Sequence, residues 1–152
     1  MREIAELAAR VAELERRFSG AVRHGTVAKV DPAKQRVRLK FGAATTGSGD
    51  YLSPWVPYAQ LAGALKVHTP PSEGQQMSLI APAGDYRQGV AMPMTFSDAN
   101  ASPSTDGAAN VITYGGFTIT MTADQLTIQI GSTSIVVTGD NVAVTSPRID
   151  LN

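Results

Sequence analysis

Residues 111–152 carry apolar side chains at a spacing that few folds accommodate. Ile128, Ile135, Val142 and Ile149 stand seven residues apart, and two positions later Ile130, Val137, Val144 and Leu151 repeat the spacing. A seven-residue apolar repeat ordinarily signals a coiled coil. Here, however, the paired positions are i and i+2, which share one face of a strand because successive strand residues point to opposite faces. Gly131-Ser132-Thr133-Ser134, Thr138-Gly139-Asp140-Asn141 and Thr145-Ser146-Pro147-Arg148 fill the gaps with turn-forming residues. The unit reads as a very short strand, a corner and another short strand, a β-solenoid repeat in miniature.

Such a repeat cannot stabilise itself alone. A strand of about three residues buries little, and even a two-stranded hairpin is marginal in water. The most available neighbours are other copies of the chain. Three chains wound round a common axis would turn the eight apolar positions inward as a shared core and pair their strands between chains. Thr118, Thr120, Thr122 and Thr127 suit the solvated side of such a β surface. The alternative is an antiparallel meander packed on the rest of the protein, which would ordinarily have longer strands and less regular corners.

With 152 residues the chain holds at most two small domains. Its formal net charge is zero, so bulk electrostatics point to neither nucleic acid nor an anionic membrane. It has no cysteine, hence no disulfide framework and no thiolate metal site, and can fold in a reducing cytoplasm and later work outside it. The N-terminus is charged and amphipathic rather than signal-like, and no apolar run approaches the ~20 residues of a membrane span. Charge is uneven. Fifteen of the 26 charged residues lie in the first 40 positions, and only Asp124, Asp140, Arg148 and Asp150 follow residue 111. The chain is therefore built from unlike segments.

Residues 2–18 read as a helix. Ile4, Leu7, Val11, Leu14 and Phe18 fall at alternating steps of three and four, the seam of a coiled coil. Glu6 to Arg10 and Glu13 to Arg17 are i,i+4 pairs in the favourable order, and Ser19-Gly20 is expected to end the helix. The seam spans roughly two and a half heptads, short of the three or four that define a coiled coil. A helix packed on its own domain and a short trimeric coil both fit it.

Residues 21–97 read as a compact β domain. Residues 22–30 and 35–41 alternate apolar and polar on either side of Asp31-Pro32-Ala33-Lys34. A Gly/Thr/Ser loop over 42–53 precedes a strand beginning at Trp55-Val56-Pro57-Tyr58, and further strands are expected over 76–81 and 89–96. Five strands in about 75 residues fit a Greek-key barrel of the oligonucleotide/oligosaccharide-binding (OB) type. Such barrels often bind nucleic acid through basic grooves with exposed aromatics. Here Trp55 and Tyr58 read as core and the groove charges are not obviously basic. Residues 98–110, all small or polar, read as a linker.

Little points to chemistry. His24 and His68 are the only histidines, so the usual zinc constellations are excluded. No carboxylate pair, Gly-x-Ser-x-Gly, phosphate-cradling loop or base-linked nucleophile appears. Asp85, after Gly84, is explained by hydrogen bonding to its own backbone at a turn. No cofactor, metal or catalytic residue is expected.

Residues 53–100 resemble the baseplate assembly protein V family, the central spike of contractile-tailed phages. The shared features are Trp55 and Pro57 after the Gly-rich loop, Gly63 at mid-domain, Glu73-Gly74 before a strand, and Ala81-Pro82-Ala83-Gly84-Asp85 before Gly89-Val90. The resemblance implies a virion protein of the tail baseplate, made in the host cytoplasm. It implies a homotrimer with its barrel near the tail tube and hub protein, whose needle perforates the host outer envelope when the sheath contracts. Several members end in a His-x-His metal site at the needle apex; with no histidine after His68, that site does not carry over. We expect instead a blunt end covered by a separate tip protein of the Pro-Ala-Ala-Arg (PAAR-like) kind, or a chain cut short at Asn152. No segment remains for the lysozyme domain of some larger relatives.

The expectation is thus a mainly β protein: a short N-terminal α-helix (1–20), an OB-fold barrel (21–97), a linker (98–110) and a C-terminal triple-stranded intertwined β-helix (111–152) formed in a homotrimer. The competing reading is an OB module that binds oligosaccharide or nucleic acid and carries an oligomerising tail.

Overall fold

The computed structural model describes residues 1–42 and 49–150. The chain forms two compact units, Met1–Ala101 and Ser102–Asn152.

The first unit opens with helix α1 (Arg2–Ala21), which buries none of its side chains. Its exposed surface is laced by Glu13, whose carboxylate accepts from Arg16 (2.8 Å) and Arg17 (2.6 Å), while Arg10 reaches Glu6 at 4.0 Å. Ser19-Gly20 do not end the helix. It runs through Ala21, and Val22 enters the next strand directly in an extended conformation. Gly20 is needed there for closeness rather than flexibility: a Cβ on it would lie 3.2 Å from the Gly84 Cα. The Ala81 N–H donates to the Ala21 carbonyl at 2.7 Å, tying the helix end to the barrel.

The barrel sheet follows: β1 (Val22–Asp31), β2 (Arg36–Lys40), β3 (Val56–Pro57), β6 (Gln76–Ile80) and β7 (Val90–Pro93), in the antiparallel order β3-β2-β1-β6-β7. A parallel bridge from Tyr58 to Ala91, with Ala59 N–H donating to Ala91 O at 2.8 Å, nearly closes the sheet into an OB-type barrel. Strand β1 serves two neighbours. Residues 22–26 pair with β6, and from Thr26 to Asp31 the strand pairs with β2. Gly25 sits at this crossing, where a Cβ would stand 2.5 Å from the Lys40 carbonyl oxygen. Val27, Val37, Leu39, Val56, Met77, Leu79, Ala81 and Ala91 fill the interior. Tyr58 joins them at 5% exposure, but Trp55, expected in the core, is 40% exposed. The register explains the difference. Val56 pairs with the inward Val37, so its neighbour Trp55 must point outward. The expected connector over 59–66 contains a small hairpin, β4 (Leu61–Ala62) with β5 (Lys66–Val67).

The second unit is one five-stranded antiparallel meander: β8 (Asn110–Tyr114), β9 (Phe117–Met121), β10 (Gln125–Ile130), β11 (Thr133–Thr138) and β12 (Val142–Thr145). The expected unit of about three-residue strands pairing between chains is replaced by strands of four to six residues pairing with their own sequence neighbours. Turn chemistry is the reason. Gly115 and Gly131 hold φ near +57° and +55°, the left-handed region that makes two-residue hairpin turns. On the other side Thr122-Ala123-Asp124-Gln125 and Thr138-Gly139-Asp140-Asn141 are two copies of one turn, each closed by the Thr N–H on the last carbonyl at 2.9 Å. The hairpin midpoints fall between 115 and 116, 123 and 124, 131 and 132, and 139 and 140, so the true period is eight residues. Along a reversing chain, one straight row across the sheet is met at alternating intervals of seven and nine. Ile128 to Ile135 is one such step of seven.

Candidate functional site

The sheet of the second unit is amphipathic. Ile112, Ile119, Ile128, Ile135 and Val144 lie directly opposite one another as a row across all five strands. Met121, Leu126, Val137 and Val142 form a parallel row on the same face, and Tyr114, Phe117 and Ile130 a third. The opposite face carries Thr118, Thr120, Thr127, Gln125 and Gln129. The apolar side is open to solvent: Ile112 remains 55% exposed, Ile130 59% and Val144 51%. A single sheet with one apolar face is a structure short of a second layer.

Of the expected core, Ile128, Ile130, Ile135, Val137, Val142 and Val144 therefore share one face. Ile149 lies beyond the last strand and is exposed, and Leu151 lies outside the described residues. Sequence reading missed Ile112, Tyr114, Phe117, Ile119, Met121 and Leu126. The signal was available, because Tyr114 and Met121 continue the seven-residue series backwards from Ile128.

The helix presents a second unpartnered stripe. Ile4, Leu7, Val11, Leu14 and Phe18 are all exposed, Leu7 to 62% and Phe18 to 85%. Glu13, beside the stripe, is pulled down to about 2 by its hydrogen bonds to Arg16 and Arg17. A carboxylate so held is a fixed anion at any ordinary pH.

Where barrel and helix meet, the Arg23 guanidinium lies 5.3 Å from the Phe41 ring centre and 5.6 Å from that of Tyr51, and donates to the Tyr86 hydroxyl at 3.1 Å. The Tyr86 bond holds it more firmly protonated. Asp85 accepts from Arg87 N–H at 3.0 Å and from Gln88 Nε2 at 3.1 Å, the turn role read from sequence, and both lower its affinity for a proton. His24 shares a hydrogen bond with Ser78 Oγ at 2.9 Å, and His68 is exposed. Among the described residues no three His, Cys, Asp or Glu side chains cluster to hold a metal ion. Among the described residues no helix is long and apolar enough to cross a membrane. The prominent features are thus surfaces for packing.

Residues 23–96 match the family model described as the type VI secretion system/phage-baseplate injector OB domain. The barrel is similar to that injector domain, and the match bears out the resemblance to the baseplate assembly protein V family. The family points to a structural role in a baseplate and to a baseplate location. No curated protein matches the chain.

Proposed function

We propose that the chain is the central spike of a contractile phage tail or tail-like particle, working as a homotrimer without catalysis. In this reading three apolar sheet faces close on a common axis and three α1 seams meet as a short coiled coil. The barrel joins the spike to the tail tube or hub. The far end takes a separate PAAR-like tip protein and meets the host outer envelope on contraction.

The observation that carries the reading is the five-strand apolar row, in which Ile112, Ile135 and Val144 are exposed and Ile119 and Ile128 half-buried, on a sheet that pairs only within its own meander among the described residues. Covering each isoleucine of that row would contribute about 2 kcal/mol. The row repeats on every copy, so three copies supply matching surfaces. Self-association round an axis closes, whereas an open stack would not. Because the ladders run within each chain, side-chain packing rather than strand exchange would hold the copies together. Force along the sheet would meet ladders whose bonds contribute about 1 kcal/mol each and break together.

Ile135 stands mid-row between Ile128 and Val144, while Thr127 lies on the opposite face. Ile135→Asp would set three carboxylates on the axis and is expected to release chains of single mass that keep the β signal in far-UV circular dichroism. Thr127→Asp should leave the assembly intact. Equal behaviour of the two variants in light scattering would sink the reading.

A further inference from the structure

The chain's zero net charge hides a strong local imbalance. Residues 23–41 hold six basic residues and one acid, Asp31; beyond residue 41 there are eight acids and three bases. The barrel gathers most of this charge on one outer face. Val37 and Leu39 point inward from β2, so Arg36, Arg38 and Lys40 point outward at every second residue. On β1 the register slips between Val27 and Lys29, and Ala28 is the extra residue. Without that bulge Lys29 would share the inward side with Val27. With it, Lys29 stands directly opposite Arg38, and Val30 takes the inward place opposite Val37. Two like charges facing each other across a ladder destabilise it. Among the described residues only Lys40 of this group has a carboxylate within ion-pair distance, Asp50 at 3.0 Å. The groove charges are not obviously basic in the sequence, and the structure adds a basic outer face on the β1–β2 hairpin.

We propose that this outer face of the β1–β2 hairpin docks an acidic protein surface, with Arg38 as its centre, Lys29 and Arg36 beside it and Lys34 in the adjoining turn; the one acid of the hairpin, Asp31, faces Arg36 across the ladder without forming an ion pair with it, so the hairpin stays strongly basic. Arg38 is held for the purpose: its Nε donates to the Ser53 carbonyl at 2.9 Å, and its guanidinium lies 6.0 Å from the Trp55 ring centre. Charges two residues apart on a strand recur at about 6.7 Å, which matches alternate carboxylates on an extended partner segment. Single-stranded nucleic acid, the other polyanion of similar pitch, needs free aromatic faces for stacking. On this face the exposed aromatic among the described residues, Trp55, is already turned to Arg38. The inference rests on the assembly role proposed above, in which the barrel contacts other proteins.

The test uses the full chain and two fluorescent probes of equal length, a twelve-residue peptide alternating threonine and glutamate and a twelve-nucleotide oligothymidylate. Anisotropy is read in 50 and 300 mM NaCl for the natural chain and for the double variant K29E/R36E, with light scattering in parallel. The proposal expects peptide binding that weakens with salt, a loss of tenfold or more in the double variant, and an unchanged assembly mass. Tighter binding of the oligothymidylate overturns it in favour of nucleic acid. So does a double variant that binds like the natural chain, or one whose mass falls, which would make the face a contact between copies. A natural chain that is monomeric yet binds the peptide would sink the spike reading and leave the docking face standing.

Discussion

Among the described residues Ser53 is the buried polar residue of the barrel, and it ties its own segment to β2. Its Oγ accepts from the Leu39 N–H at 2.9 Å and donates to the Pro54 carbonyl at 2.7 Å, while its own N–H donates to Leu39 O at 2.8 Å. Ser53→Ala leaves the Leu39 N–H unpaired in the core, which costs about 1–3 kcal/mol. A matching drop in the urea midpoint of the barrel at unchanged slope is expected; an unmoved midpoint would show that the bond contributes nothing. Ser53 was not legible in sequence, where it closes a Gly/Thr/Ser loop and resembles every other serine there. Trp55 was misread for a related reason. Hydrophobicity alone places it inside, and only pairing of Val56 with Val37 reveals that its side chain faces out.

At the scale of elements, α1 was legible because its seam and i,i+4 pairs are local patterns, and local patterns survive in sequence. Its end was not, because Gly20 answers to a distant partner, Gly84. The meander was half legible. The i,i+2 pairs identified the apolar face, but a spacing of seven cannot by itself distinguish a solenoid from a reversing chain. The left-handed glycines at 115 and 131 decide for hairpins, and with them for local pairing. One prediction belongs to the helix. Glu13 has its carboxyl lowered by Arg16 and Arg17, so the stabilisation it confers is complete above its ordinary 4.5 and is lost as pH falls toward about 2. Side-chain NMR should find the Glu13 titration midpoint near 2. A midpoint at the ordinary carboxylate value would show that the two arginines do not hold it in solution. In Glu13→Gln, the helix should lose that part of its acid sensitivity.

For the whole molecule, two apolar surfaces stand out. Helix α1 and the β8–β12 sheet each carry a stripe that their own unit leaves in water, and both become intelligible if the stable form holds several copies. The barrel buries a core of its own and was legible as such, down to its OB type and injector family. The number of copies was not legible from one chain, since a seam and an apolar sheet face are each satisfied by more than one symmetry. The central claim is therefore a stoichiometry. Sedimentation equilibrium of the natural chain at micromolar concentration should return three times the 16.0 kDa chain mass. A single-chain mass at that concentration would contradict the account.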